Sequence, residues 1–184
     1  MANYLPYYWI RHNAIPESLC DVMLEERKSL ADSDAGIGIN NDQNPNTIRK
    51  TSIAWAPRNH WLEGIMLNNA QYANRETGWN LDVTSNEQAQ LAKYETGHFY
   101  DWHMDTFLMA DTPTCRKLTI VALLNDPSEF TGGNFELQSC DSSELTLKKG
   151  SVIAFPSYLN HRATRVDSGT RYSAALWLHG PTFK

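Results

Sequence analysis

Residues 148–178 read KKGSVIAFPSYLNHRATRVDSGTRYSAALWL. Three short runs in this stretch, Ser151–Phe155, His161–Val166 and Arg171–Leu178, are apolar or alternate between apolar and polar residues. Turn formers stand before the first (Lys149-Gly150) and the last (Asp167-Ser168-Gly169). Short runs bounded by glycine and aspartate read as strands, because such residues punctuate the chain where it must reverse. The same texture extends upstream through Ala89–Tyr94, Leu118–Asn125, Asn134–Leu137 and Leu145–Leu147. Breakers again intervene at Asp126-Pro127-Ser128 and Thr131-Gly132-Gly133. Strands at this spacing predict a β-sandwich or barrel.

The part that precedes it differs. Tyr7–Ile10 reads as a short strand, and Pro16 opens a helix carrying Leu19, Val22, Met23 and Leu30 at helical spacing. A strand is expected at Thr51–Trp55, then a second helix over roughly residues 59–77 with Trp61, Ile65, Met66 and Leu67. Between them Ala31–Lys50, ADSDAGIGINNDQNPNTIRK, is an irregular segment of the length that active-site lids have. The 184 residues are expected to form one domain, a helical support over about 1–85 followed by a β-rich half over about 86–180.

Composition narrows the function classes. Hydrophobic residues make up 41% of the chain, enough for a core, and the net charge of −5 argues against a general nucleic-acid binder. Cys20, Cys115 and Cys140 form no CxxC pair, which speaks against a zinc ribbon or a disulfide scaffold and for a reducing compartment. The opening MANYLPYYWIRHN lacks the apolar core of a signal peptide, and no apolar run is long enough to span a bilayer. A cytoplasmic location is expected.

Of six histidines, His12, His60 and His179 need only a surface or core-polar reading, and His98 has no carboxylate two residues away. His103-Met104-Asp105 is an HxD triplet. On an extended strand its imidazole and carboxylate share a face about 7 Å apart, so both can reach one ion. His161, at the start of a later strand, supplies a second imidazole. Two histidines and one carboxylate form a facial triad that leaves positions open on Fe(II), whereas a structural zinc site needs a fourth protein ligand. Arg171 lies ten residues on, beyond the Asp-Ser-Gly turn. A buried strand arginine needs an anion, either a carboxylate of the chain or an acidic ligand held in its guanidinium fork.

The segment from Tyr94 to Asp105, YETGHFYDWHMD, resembles the YxxGxxYxxHxD signature of prolyl 4-hydroxylases. The 148–178 stretch resembles their closing motif, and RKLTIVALLN followed by TGGNFEL is similar to their central strands. Together these cover roughly residues 87–180 in order. The resemblance implies a mainly β fold, a double-stranded β-helix (jelly-roll) core with the N-terminal helices packed on one sheet. It implies an Fe(II)- and 2-oxoglutarate-dependent dioxygenase that uses O2, releases succinate and CO2, and is sustained by L-ascorbate. The substrate implied is a prolyl residue in a peptide or protein.

By the same resemblance His103, Asp105 and His161 are the iron ligands, Arg171 binds the far carboxylate of 2-oxoglutarate, and Tyr94 supports it. Tyr100, Arg116 and Trp177 line the substrate site. One departure concerns the central strand. Where some relatives place a second tyrosine against that carboxylate, this chain has Leu123, and Thr119 is the expected substitute. Other outcomes stay open: a free amino acid or small molecule as substrate, AlkB-like nucleic-acid demethylation, or a non-catalytic jelly-roll binding module. Against demethylation, Trp177 stands where that family has a second arginine. Against halogenation, Asp105 occupies the position a halide would need.

Overall fold

The computed structural model describes residues 5–34, 48–106, 112–138 and 145–183. Its elements in chain order are β1 (Trp9–Arg11), α1 (Glu17–Arg27), β2 (Ser33–Asp34), β3 (Arg49–Lys50), β4 (Ser52–Trp55), α2 (Trp61–Glu76), β5 (Ser85–Asn86), β6 (Gln90–Glu95), β7 (Phe99–His103), β8 (Thr114–Leu123), β9 (Phe130–Gly132), β10 (Phe135–Leu137), β11 (Val152–Pro156), β12 (His161–Ala163) and β13 (Val166–Pro181). The larger antiparallel sheet runs β1-β11-β8-β13-β6-β4-β2, with β5 and β9 also on β13; the smaller runs β10-β12-β7-β3. This is a jelly roll with both helices on its larger sheet, as the sequence predicts.

Strand periodicity explains how the larger sheet serves two masters. On β8, Leu118, Ile120 and Ala122 face one way with Leu124 just beyond the strand, and on β13 Ala174, Leu176 and Leu178 join them. Against this face pack Cys20 and Met23 of α1 and Leu62, Met66, Ala70 and Ala73 of α2. Each fully buried leucine or isoleucine here contributes about 1.5–3 kcal/mol. The alternate residues Thr119, Val121, Arg171, Ser173, Ala175 and Trp177 face the smaller sheet and line a cavity between the two. Odd positions of β8 and β13 therefore carry chemistry and even positions carry stability.

Two local differences from the sequence reading are informative. Leu145–Leu147 forms no strand, yet both leucines are buried in the inter-sheet core. Asp167-Ser168-Gly169 does not end a strand; β13 runs through it, pairing first with β9 and then with β6 and β8. Gly169 makes this bend, with φ +77°, and a Cβ there would sit 2.1 Å from the Glu129 carbonyl oxygen. Residues 35–47 of the expected lid, and Cys140, lie outside the described residues. Cys20 and Cys115 are free and buried. Among the described residues no helix is long and apolar enough to cross a membrane.

Candidate metal centre

His103 at the end of β7 and His161 at the start of β12 are register partners on the smaller sheet. Asp105 reaches them by a route the HxD reading did not anticipate. The chain has left β7 by then, and the backbone N–H groups of Asp105 and Thr106 both donate to the Ser157 carbonyl, at 2.9 and 3.1 Å. This anchorage to the turn after β11 swings the carboxylate between the imidazoles. His103 Nε2 lies 3.7 Å from Asp105 Oδ1 and His161 Nε2 3.4 Å from Oδ2. One ligand atom from each residue falls within 4.8 Å of the others.

The protonation states suit metal binding. His103 Nδ1 lies 2.7 Å from the Asp101 carbonyl and His161 Nδ1 3.0 Å from that of Leu159. A carbonyl only accepts, so Nδ1 carries the proton in both rings and the Nε2 lone pair faces inward. Burial, reinforced by the neighbouring His161, pushes the His103 imidazole down to about 3. Burial alone would raise the Asp105 carboxyl, but the imidazoles of His161 and His103 and the Arg116 charge hold it below its ordinary value. Two imidazoles and a carboxylate brought this close are the donor set of a two-histidine-one-carboxylate iron site.

Thr119 belongs to this centre. Its hydroxyl donates to Asp105 Oδ2 at 2.8 Å and lies 2.9 Å from Ser157 Oγ. Thr119, expected beside Arg171 in place of a tyrosine, lies mid-strand opposite Trp177, with its hydroxyl on Asp105. The hydroxyl that does meet Arg171 is Ser173 Oγ, 3.0 Å from Nη1.

From the triad a cavity of about 60 Å³ leads inward to Arg171, with Tyr94 and Val121 among its walls. Arg171 is 3% exposed, and its Cζ is 5.4 Å from the Tyr94 ring centre. Among the described residues no carboxylate pairs with it. Burial lowers its pKa, the direction expected of a cation taken out of water. A ligand carboxylate fits that requirement.

The other expected residues gather at the rim. Tyr100 stacks on His103, with ring centres 3.4 Å apart and planes within 10°, and burial pushes its phenol up to about 12. Arg116 lies with Cζ 4.0 Å over the Trp177 ring. Its Nε and Nη2 donate to Glu87 Oε1 and Oε2 at 2.5 and 2.8 Å, and His179 Nε2 is 2.7 Å from Oε1. The Trp177 indole N–H faces Asp105 without completing a hydrogen bond.

Sequence reasoning missed Arg49, Gln90, Glu87 and Ser173. Arg49 is buried on β3, donates to Gln90 Oε1 at 2.9 Å, lies 4.4 Å over the Tyr100 ring and has an unpartnered Nε. The sequence alone places it in the irregular Ala31–Lys50 segment. Ser173 carried a usable signal, since it stands two residues from Arg171 on one strand face. Glu87 and Arg49 had none, because their partners lie 29 and 41 residues away.

A jelly roll with two histidines and a carboxylate at a cavity that ends in an arginine, unpaired among the described residues, is the arrangement of a candidate non-haem iron site. Residues 89–179 match the model of the 2OG-Fe(II) oxygenase superfamily. Over 91 residues the chain is 31% identical to a PKHD-type hydroxylase of Synechococcus elongatus, covering 48% of this chain and 41% of that protein. A PKHD-type hydroxylase of Thermosynechococcus vestitus matches at 33% over the same length and shares. The chain thus spans about two-fifths of the length of the curated relatives it matches. Among solved structures, a viral collagen prolyl hydroxylase from Paramecium bursaria Chlorella virus 1 superposes with TM-score 0.71 at 21% identity, over 95% of this chain and 97% of that one. A prolyl-4-hydroxylase of Pseudomonas putida gives 0.68 at 17%, over 96% and 94%. Residues 89–179 thus carry a domain of the 2OG-Fe(II) oxygenase superfamily, and the proteins it is similar to are hydroxylases of the PKHD and prolyl types. The superfamily implies Fe(II), 2-oxoglutarate and O2, and the His-Asp-His donor set fits the iron.

Proposed function

We propose that this chain hydroxylates prolyl residues in a peptide or protein, in a reaction that consumes 2-oxoglutarate and O2 and releases succinate and CO2. The observation that carries this reading is the cavity itself, with His103, Asp105 and His161 at one end and Arg171, without a carboxylate partner among the described residues, at the other. Iron, when bound, supplies O2 activation, with 2-oxoglutarate as the source of two electrons and ascorbate as the reductant that restores Fe(II).

The chain's own residues do the placing. His103, Asp105 and His161 hold the metal, and Thr119 and Ser157 hold Asp105. Arg171 and Ser173 take the far carboxylate, with Tyr94 against the chain of the co-substrate. At the rim the edges of Trp177 and Tyr100, whose faces meet Arg116 and His103 with Arg49, bound the space for a pyrrolidine ring. Glu87 orients Arg116 so that its remaining N–H groups meet peptide carbonyls, and Arg49 offers a second donor. The solved relatives include a prolyl hydroxylase from Trichoplax adhaerens in complex with a peptide fragment of hypoxia inducible factor, TM-score 0.67 at 19% identity. That supports a peptide as substrate class here. The test is mass spectrometry of a proline-containing peptide library incubated with the protein, Fe(II), ascorbate and 2-oxoglutarate. A 16-dalton gain on proline, with stoichiometric succinate, is expected; succinate without any modified peptide would move the substrate to another class.

A further inference from the structure

Arg171 is a wall shared by two cavities. On one side lies the small cavity leading to the triad. On the other lies a larger one of about 370 Å³, lined by Leu123, Phe130, Gly133, Asn134 and Leu147 among others. Three features leave the guanidinium able to move between them. Its one hydrogen bond among the described residues goes to the Ser173 hydroxyl, and no ion pair pins it. The neighbour along its aliphatic stem is Gly133, where an added Cβ would press on Arg171 Cδ at 3.0 Å, so bare backbone leaves the stem its room. The residue opposite Ser173 on β8 is Leu123, which offers no polar group to fix the guanidinium and itself lines the larger cavity.

We propose that the co-substrate site accepts 2-oxo dicarboxylic acids longer than 2-oxoglutarate, 2-oxoadipate first, with Arg171 withdrawing into the larger cavity to meet the more distant carboxylate. This rests on the reading of Arg171 as the co-substrate anchor. A buried guanidinium keeps its requirement for an anion wherever it sits, so the charge-assisted contact survives the movement. The cost is the Ser173 hydrogen bond. The gain is burial of the added methylene against Leu123 and the apolar wall behind it. A narrow, filled site behind the arginine would forbid this exchange, because a packed core does not yield to one extra methylene.

The test is calorimetric binding of 2-oxoglutarate and 2-oxoadipate to the full chain loaded with Mn(II), which needs no turnover. The expected dissociation constants lie within about tenfold of each other; a larger deficit for 2-oxoadipate overturns the proposal. Leu123→Phe, which fills the larger cavity from β8, should worsen the ratio against 2-oxoadipate by about tenfold or more. An unchanged ratio would show that the cavity is not where the longer acid goes, and overturns it too. Should that variant not fold, Leu147→Phe narrows the same space from another segment and is read the same way. Failure of both acids to bind the wild type is a different result: it removes the co-substrate reading itself, and this inference with it.

Discussion

Thr119 donates its hydroxyl proton to Oδ2 of Asp105 across 2.8 Å, joining the middle of β8 to a carboxylate 14 residues earlier. The same hydroxyl lies 2.9 Å from Ser157, whose carbonyl receives the backbone N–H groups of Asp105 and Thr106. One ligand of the candidate metal centre is thus held by β8 and by the turn after β11 at once. Ligand-orienting contacts of this kind govern metal affinity nearly as much as the ligands do.

Thr119→Val keeps the side-chain shape and removes that hydrogen bond, so Fe(II) affinity should fall about tenfold or more, with Thr119→Ser close to wild type. Anaerobic metal titration measures this. Equal affinity in the valine variant would mean Asp105 is oriented by its backbone alone.

Replacing His103, Asp105 or His161 singly by alanine should abolish turnover and weaken Fe(II) binding while circular dichroism stays that of the native fold. His161→Ala is the most telling of the three, since its ring is buried and touches both other ligands. Full activity in that variant would dismiss the triad.

Arg171→Ala should weaken 2-oxoglutarate binding by an amount corresponding to about 1.5–3 kcal/mol, the worth of a charge-assisted hydrogen bond. Arg171→Lys keeps the charge and loses the fork, so it should fall between. Titration of the metal-loaded protein with 2-oxoglutarate reads both; unchanged affinity places the anchor elsewhere.

Burial would raise the Glu87 carboxyl, but the two bonds from Arg116 and the one from His179 hold it below its ordinary value. A carboxyl depressed in the folded state contributes stability that is present above the unfolded pKa and is lost as pH falls through the folded one. Glu87→Gln should therefore flatten the acid limb of the melting-temperature profile. It should also weaken peptide binding through the freed Arg116, with Fe(II) and 2-oxoglutarate affinity retained. A loss of metal binding instead would mean the Glu87–Arg116 pair supports the centre rather than the rim.

Gly169→Ala should cost about 1–3 kcal/mol, since its left-handed φ and the Glu129 carbonyl beside it leave no place for a Cβ. Thermal or denaturant unfolding measures it. A neutral result would mean that β13 does not need its bend to change partners.

Much was legible before any tertiary information. The alternation on β8 and β13 separates the helix-facing from the cavity-facing residues, because side chains alternate across a strand whatever the strand pairs with. His103, Asp105, His161 and Arg171 stand out by residue type and by the pattern around them. Helix positions were close as well: α1 follows Pro16, and α2 covers residues 61–76 of the expected 59–77.

What the amino-acid order by itself determined is therefore which residues share a strand face and which of them could hold a metal and an acid. Tertiary structure alone decided how they meet. Asp105 reaches the histidines through a carbonyl of the distant Ser157, not through strand periodicity. Arg116 spends two donors on Glu87, 29 residues earlier in the chain. Arg49, read as loop, stacks over Tyr100, and Arg171 divides two cavities. The physical reason is range. Side-chain direction along a strand follows from local backbone sterics, so it is written in neighbouring residues. Which carbonyl, carboxylate or cavity a side chain meets depends on pairings between segments far apart, and only the folded chain brings those together.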